Sequence, residues 1–219
     1  MGFGKIKEGC KFNVTSPKPE FFPSLRRKKF TSAPASTPII IYTDGSCDAK
    51  DRCGGWGVSR WLLNPLTKAT VLISESSGWE TDTTVSLMEL GAAITALKGI
   101  KDTNRPVILY TDSQYVQRGV EDYLAGWTRK GGYGSRGEVK NIALWRQMVE
   151  LLNKIHVEFR WVKGHSGVKE NEYVDNLAGY GRAHALQQNG MADKIHADYR
   201  DITQKQIIKM RNLNFKDMT

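Results

Sequence analysis

Two stretches of the chain reach the same acidic residue by the same route. Pro38 to Asp44 and Pro106 to Asp112 both read proline, three aliphatics, tyrosine, threonine, aspartate. Each aliphatic run predicts a buried strand that delivers its aspartate at the carboxyl end, where open α/β sheets place their functional crevice. If the two strands pair in parallel, their backbones lie about 4.8 Å apart and the carboxylates become neighbours. Two such charges repel unless one takes up a proton or a cation neutralises them. An all-oxygen site of this kind suits Mg²⁺. A plainer reading stays open on these residues alone: Asp44-Gly45 and Asp112-Ser113 are also good turn chemistry.

Three further residues could join that chemistry. Glu89 stands three positions after Ser86, the spacing of a capping box at a helix start. It also sits about 200° around the helix from Leu87, off the apolar stripe. Asp175 falls inside a predicted helix, where a solvated charge is the ordinary reading. His165 lies between Gly164 and Ser166-Gly167, on a loop with an imidazole that titrates near neutral pH.

The elements that must position these groups follow from periodicity. After Ile39–Tyr42, strands are predicted at 55–63 and 69–74, with Asn64-Pro65 turning between them. Leu87, Leu90, Ile94 and Leu97 recur at helical spacing. A strand at 107–110 precedes a helix from about Ser113 and a glycine-rich basic stretch at 126–137. A helix at 141–153, a strand at 156–162 and a helix at 169–185 complete the body. The order β-β-β-α-β-α-α-β-α predicts an α/β fold, a mixed sheet covered by helices.

Composition narrows the class of protein. Of 219 residues, 40% are hydrophobic and 25% charged, so a packed core is expected rather than global disorder. No apolar run is long enough to span a bilayer, and the N-terminus lacks a secretory core. Three cysteines without a C-x-x-C pair argue against a disulfide framework and for a reducing, cytoplasmic setting. The net charge of +9 is uneven: residues 1–37 carry eight Lys/Arg against Glu8 and Glu20, whereas 38–182 are nearly neutral. This proline-containing segment is expected to be a flexible arm for a polyanionic partner, with an organellar or nuclear targeting role as the alternative. The chain thus divides into an arm (1–37), a body (38–183) and a C-terminal extension (184–219). In the extension, Ile195, Tyr199 and Ile202 predict an amphipathic helix.

The body resembles the type 1 ribonuclease H family. The resemblance rests on Tyr42 to Cys47, Gly54 to Gly57, Met88 to Leu90, Tyr110 to Val116, Trp161 to Gly167 and Glu170 to Ala178, in family order. It implies a ribonuclease H-like fold, with a five-stranded mixed sheet flanked by helices. The implied activity is endonucleolytic hydrolysis of the RNA strand of an RNA–DNA hybrid, leaving 5′-phosphate and 3′-hydroxyl ends. By the same resemblance Asp44, Glu89, Asp112 and Asp175 hold two Mg²⁺ ions, with Mn²⁺ as a substitute, and His165 is a mobile proton carrier. Two such ions would supply an activated water and stabilise the leaving oxygen.

Substrate contacts are implied for Gly45, Ser46, Cys47, Ser86, Lys163 and Asn171, and for Gln114 on the RNA 2′-hydroxyl side. Trp127, Arg129, Lys130 and Tyr133 lie where many members carry a basic protrusion that grips the DNA strand. The chain departs from the family at Val85-Ser86-Leu87, where asparagines are common, and at Lys50. Two rivals remain: a non-catalytic hybrid-binding protein, and another nuclease on the same fold, such as a resolvase or integrase. Met1, the basic arm and the protrusion argue for an autonomous enzyme rather than a domain of a reverse-transcriptase polyprotein; a monomer with no membrane partner and no cofactor beyond metal is expected.

Overall fold

The first β-branched run becomes β1 (Ile39–Asp48), which pairs on one side with an antiparallel neighbour, β2 (Cys53–Leu63), and on the other with a parallel one, β4 (Val107–Thr111). With β3 (Thr70–Glu80) and β7 (Val157–Trp161) they form one five-stranded mixed sheet in the order β3-β2-β1-β4-β7. The computed structural model describes residues 22–29, 37–64, 66–67 and 69–196. β3 runs six residues past the apolar stretch that marks it in sequence. Glu75, Ser76, Ser77 and Gly78 break that pattern, yet they continue the ladder with β2.

Alternation sorts the strand residues onto two faces. Ile39, Ile41, Trp56, Val58, Val107, Leu109 and Phe159 share a core with helix α1 (Val85–Lys98) and helix α4 (Ile142–Lys154). Tyr42 and Trp61 pack on the opposite side against Tyr173, Val174 and Leu177 of helix α5 (Lys169–Gln188). Between β4 and α4 the chain forms α2 (Gln114–Arg118), a π-turn at Gly119–Tyr123, and α3 (Leu124–Arg129). A two-stranded hairpin follows, β5 (Tyr133–Gly134) and β6 (Gly137–Glu138). This is the expected sheet with flanking helices. No helix among the described residues is long and apolar enough to cross a membrane.

Three local readings change. Thr84, not Ser86, caps α1, its hydroxyl accepting from the Leu87 N–H at 3.3 Å. The Thr83 N–H is bonded to the Arg52 carbonyl, and α1 starts at Val85, its cap two residues before the expected one. Glu89 therefore lies in the second turn and does not fold back on a cap. Residues 22–29, drawn as part of an arm without a core, pack on the body: Phe22 is only 4% exposed. At the other end α5 runs to Gln188, beyond the boundary drawn at 183, and Ile195 packs near Cys53. Tyr199 and Ile202 lie outside the described residues.

Candidate active site

Parallel pairing of β1 and β4 aligns Thr43 with Thr111, so Asp44, still paired with Gly57 of β2, and Asp112, just past the end of β4, stand side by side. α1 brings the third acid. Oxygens of Asp44, Glu89 and Asp112 all lie within 4.8 Å of one another. The approach of α1 depends on Gly45: a Cβ there would strike the Glu89 amide and stand 2.6 Å from the Met88 carbonyl carbon. Asp175, from α5, is half-buried and close enough to Asp44 for its charge to act on it.

Gathering these acids is electrostatically costly. Burial first, then the charges of Asp112 and Asp175, pushes the Asp44 carboxyl up to about 8. Burial likewise holds Glu89 well above the usual carboxylate range, reinforced by the Asp44 and Asp112 charges. The backbone of Gly45, next to both carboxyls, opposes the rise. One oxygen of Glu89, Oε2, is buried with no hydrogen-bond partner. A hard cation with a preference for oxygen would satisfy that atom and remove the repulsion, so the donor set fits Mg²⁺ or Mn²⁺.

The segment after β7 organises the other side. The Trp161 indole N–H donates to the Asp112 carbonyl at 3.0 Å. Asn171, almost fully buried in α5, offers its Nδ2 to Asp112 Oδ2 at 3.4 Å. His165 has a positive φ of 49° on the intervening loop, and its Nδ1 lies 3.5 Å from Asp175 Oδ2. Its ring is largely exposed, so it can swing while facing the acids. Lys163 is exposed on the same loop.

Of the other substrate candidates, Gly45, Ser46 and Cys47 continue β1 past Asp44, and Ser86 is half-buried in the first turn of α1. Gln114 is exposed as the first residue of α2. Trp127, Arg129, Lys130 and Tyr133 form a separate group on α3 and the hairpin. Trp127 is not a free stacking platform. Its ring meets the buried Trp145 edge-on at 5.2 Å, because Trp127 and the buried Leu124, three residues apart on one face, together anchor α3 to the core. The exposed rings are Tyr133 and Tyr123, the latter with the Arg118 guanidinium 5.5 Å from its centre. Sequence reasoning missed Tyr123 and Trp161. The alternation of 156–162 marks Trp161 as a strand residue but says nothing of its partner.

Comparison with known proteins agrees with this geometry. The RNase H family model matches residues 36–183. Ribonuclease H of Hahella chejuensis is 42% identical over 153 residues, covering 69% of this chain and 98% of that protein. Ribonuclease H of Legionella pneumophila strain Corby is 44% identical over 146 residues, covering 65% and 95%. Among solved structures, LC9-RNase H1, a type 1 RNase H with the type 2 active-site motif, superposes with a TM-score of 0.62 at 30% identity, covering 70% of this chain and 76% of that one. The foamy viral protease-reverse transcriptase in complex with an RNA/DNA hybrid shares the fold, with a TM-score of 0.60 at 21% identity over 77% of this chain and 22% of that one. The chain belongs to the ribonuclease H family, and it is a hydrolase of that class.

Proposed function

We propose that the chain hydrolyses the RNA strand of RNA–DNA hybrids with two divalent ions, Mg²⁺ or Mn²⁺, leaving 5′-phosphate and 3′-hydroxyl ends. The observation that carries this reading is the buried Asp44–Glu89–Asp112 cluster, whose raised carboxyls call for cationic partners. Asp44, Glu89, Asp112 and Asp175 would hold the ions. When bound, two such ions supply a water nucleophile and stabilise charge on the leaving oxygen.

The chain's own residues do the rest. Trp161 and Asn171 hold Asp112 at its carbonyl and at Oδ2. His165 exchanges a proton at its ring nitrogen with the leaving group or solvent, its Nδ1 lying 3.5 Å from Asp175 Oδ2. Gln114 offers an amide to the 2′-hydroxyl that distinguishes RNA from DNA. Arg129, Lys130, Arg136 and the exposed Tyr123 and Tyr133 present charge and aromatic faces to the DNA strand. The hybrid bound to the foamy viral enzyme is a precedent for this substrate on the same fold.

The test is cleavage of four labelled substrates: hybrid, RNA duplex, single-stranded RNA and DNA duplex, each with Mg²⁺ and with EDTA. Cleavage confined to the RNA of the hybrid, and lost in EDTA, is expected. Equal cleavage of either duplex would overturn the assignment.

A further inference from the structure

The sequence points the basic run Arg26–Lys29 at a polyanion, yet the structure turns half of it inward. The Arg27 guanidinium donates to the Val120 carbonyl at 2.8 Å and to Glu121 Oε2 at 3.1 Å. Lys28 Nζ donates to the Thr103 carbonyl at 2.7 Å and to Asn104 Oδ1 at 3.1 Å. The backbone is fastened too. The Lys28 N–H donates to the Leu152 carbonyl, the Arg26 N–H to Asn153 Oδ1, and Asn153 Nδ2 to the Ser24 carbonyl.

Two of these contacts fall where the basic protrusion joins the body. The protrusion leaves through the π-turn at Gly119–Tyr123 and returns at the start of α4. A π-turn widens the helix and disturbs the alignment of its carbonyls with their usual donors. Arg27 donates to one of those carbonyls, Val120, and pairs with the next side chain, Glu121. At the returning leg Phe22 is buried under the hairpin base. A Cβ on Gly132 would come within 3.1 Å of Phe22 Cδ2 and would also strike Ile142, and the Arg146 guanidinium lies 6.0 Å from the Phe22 ring centre. Residues 22–29 lie outside the span 36–183 that matches the family model, so this fastening is added to the family's body.

We propose that residues 22–28 are a positioning strap that holds the protrusion at both its roots in the orientation that grips the DNA strand of the hybrid. Phe22 and Arg27 are its positioning residues. The proposal rests on the hybrid-cleaving reading above. A protrusion already ordered before binding avoids an entropic cost at the moment of binding, so the strap acts on affinity rather than on chemistry. None of its bonded partners is a carboxylate of the active site.

The experiment uses the full chain with Arg27→Met, Arg27→Lys, Phe22→Ala and Phe22→Leu. Steady-state cleavage of hybrid, hydrogen exchange across residues 131–139 and calorimetric Mg²⁺ binding are measured on each. Arg27→Met and Phe22→Ala should raise KM roughly three- to tenfold, the factor that one ordinary hydrogen bond is worth, while kcat stays within about twofold. Exchange at 131–139 should quicken and Mg²⁺ affinity should hold. Phe22→Leu, which refills the space, should restore KM, and Arg27→Lys should fall between. An unchanged KM would overturn the proposal, as would KM, kcat and Mg²⁺ affinity all worsening together, which is the signature of general destabilisation. If the wild-type chain cuts no hybrid, the functional reading fails by itself. Binding of a fluorescent hybrid in EDTA, with the exchange data, then decides the strap separately.

Discussion

Gly164 and Asp112 share one small volume: a Cβ on Gly164 would stand 2.7 Å from Asp112 Oδ2. The loop after β7 therefore passes directly against a carboxylate oxygen of the site, and only a residue without a side chain leaves that oxygen in place. Gly164→Ala should push Asp112 aside and lower kcat about a hundredfold, the scale of a 1 Å misplacement, with hybrid affinity nearly unchanged. Trp161→Phe removes only the N–H on the Asp112 carbonyl, and its effect should be about fivefold. Single-turnover cleavage on both variants checks this. Near-wild-type kcat in Gly164→Ala would show that Asp112 tolerates displacement.

Asp44→Asn keeps the shape of the side chain and removes a ligand charge. Turnover should fall by about a thousandfold or more, while hybrid binding persists. In the absence of metal the same variant should be the more stable protein, because it relieves the repulsion among Asp44, Asp112 and Asp175. Calorimetry with and without Mg²⁺ reads both effects. A variant less stable in EDTA would mean that the acids do not oppose one another.

The raised Asp44 carboxyl fixes the sign of a pH dependence. Its ordinary value is 3.8, and the folded protein holds it near 8. Between those values the folded state keeps a proton that the unfolded state has lost. Stability of the metal-free protein is thus fullest at the acid end of the window and is lost as pH rises toward 8. Glu89 acts in the same direction. Thermal unfolding in EDTA should show Tm falling from pH 5 to pH 8, with a shallower fall in Asp44→Asn and a recovery at pH 8 on adding Mg²⁺. A Tm that climbs across this range in both proteins would contradict the burial of these acids.

His165 is exposed and hinged on a positive-φ residue, so water and buffer have access to the same proton. His165→Ala should slow cleavage by about ten- to a hundredfold without abolishing it, at or below the lower end of what general acid–base groups contribute. Imidazole in the buffer should restore part of the rate. Complete loss of activity would place His165 among the metal-holding residues instead.

Much of the site was legible along the chain because strands are local. Two proline-bounded aliphatic runs, each ending in Thr-Asp, define where Asp44 and Asp112 must emerge, and parallel pairing then makes them neighbours. Period-two alternation placed β7 and helical spacing placed α1 for the same reason: each depends on a few successive residues. The resemblance, not the periodicity, singled out Glu89 and Asp175, whose ordinary readings were a cap and a solvated charge.

Tertiary structure alone decided the rest. Glu89 reaches the two aspartates because Gly45 lets α1 come close, and Thr84 takes the cap that Ser86 was expected to form. The raised carboxyls exist only once burial removes water from acids far apart in sequence. Phe22 and Arg27 carry no periodic signal, since an irregular segment is held by partners some hundred residues away, at Val120, Glu121 and Arg146. Local patterns determine which backbone forms where. Close approach, burial and long-range pairing depend on which surfaces meet, and that is a property of the assembled fold.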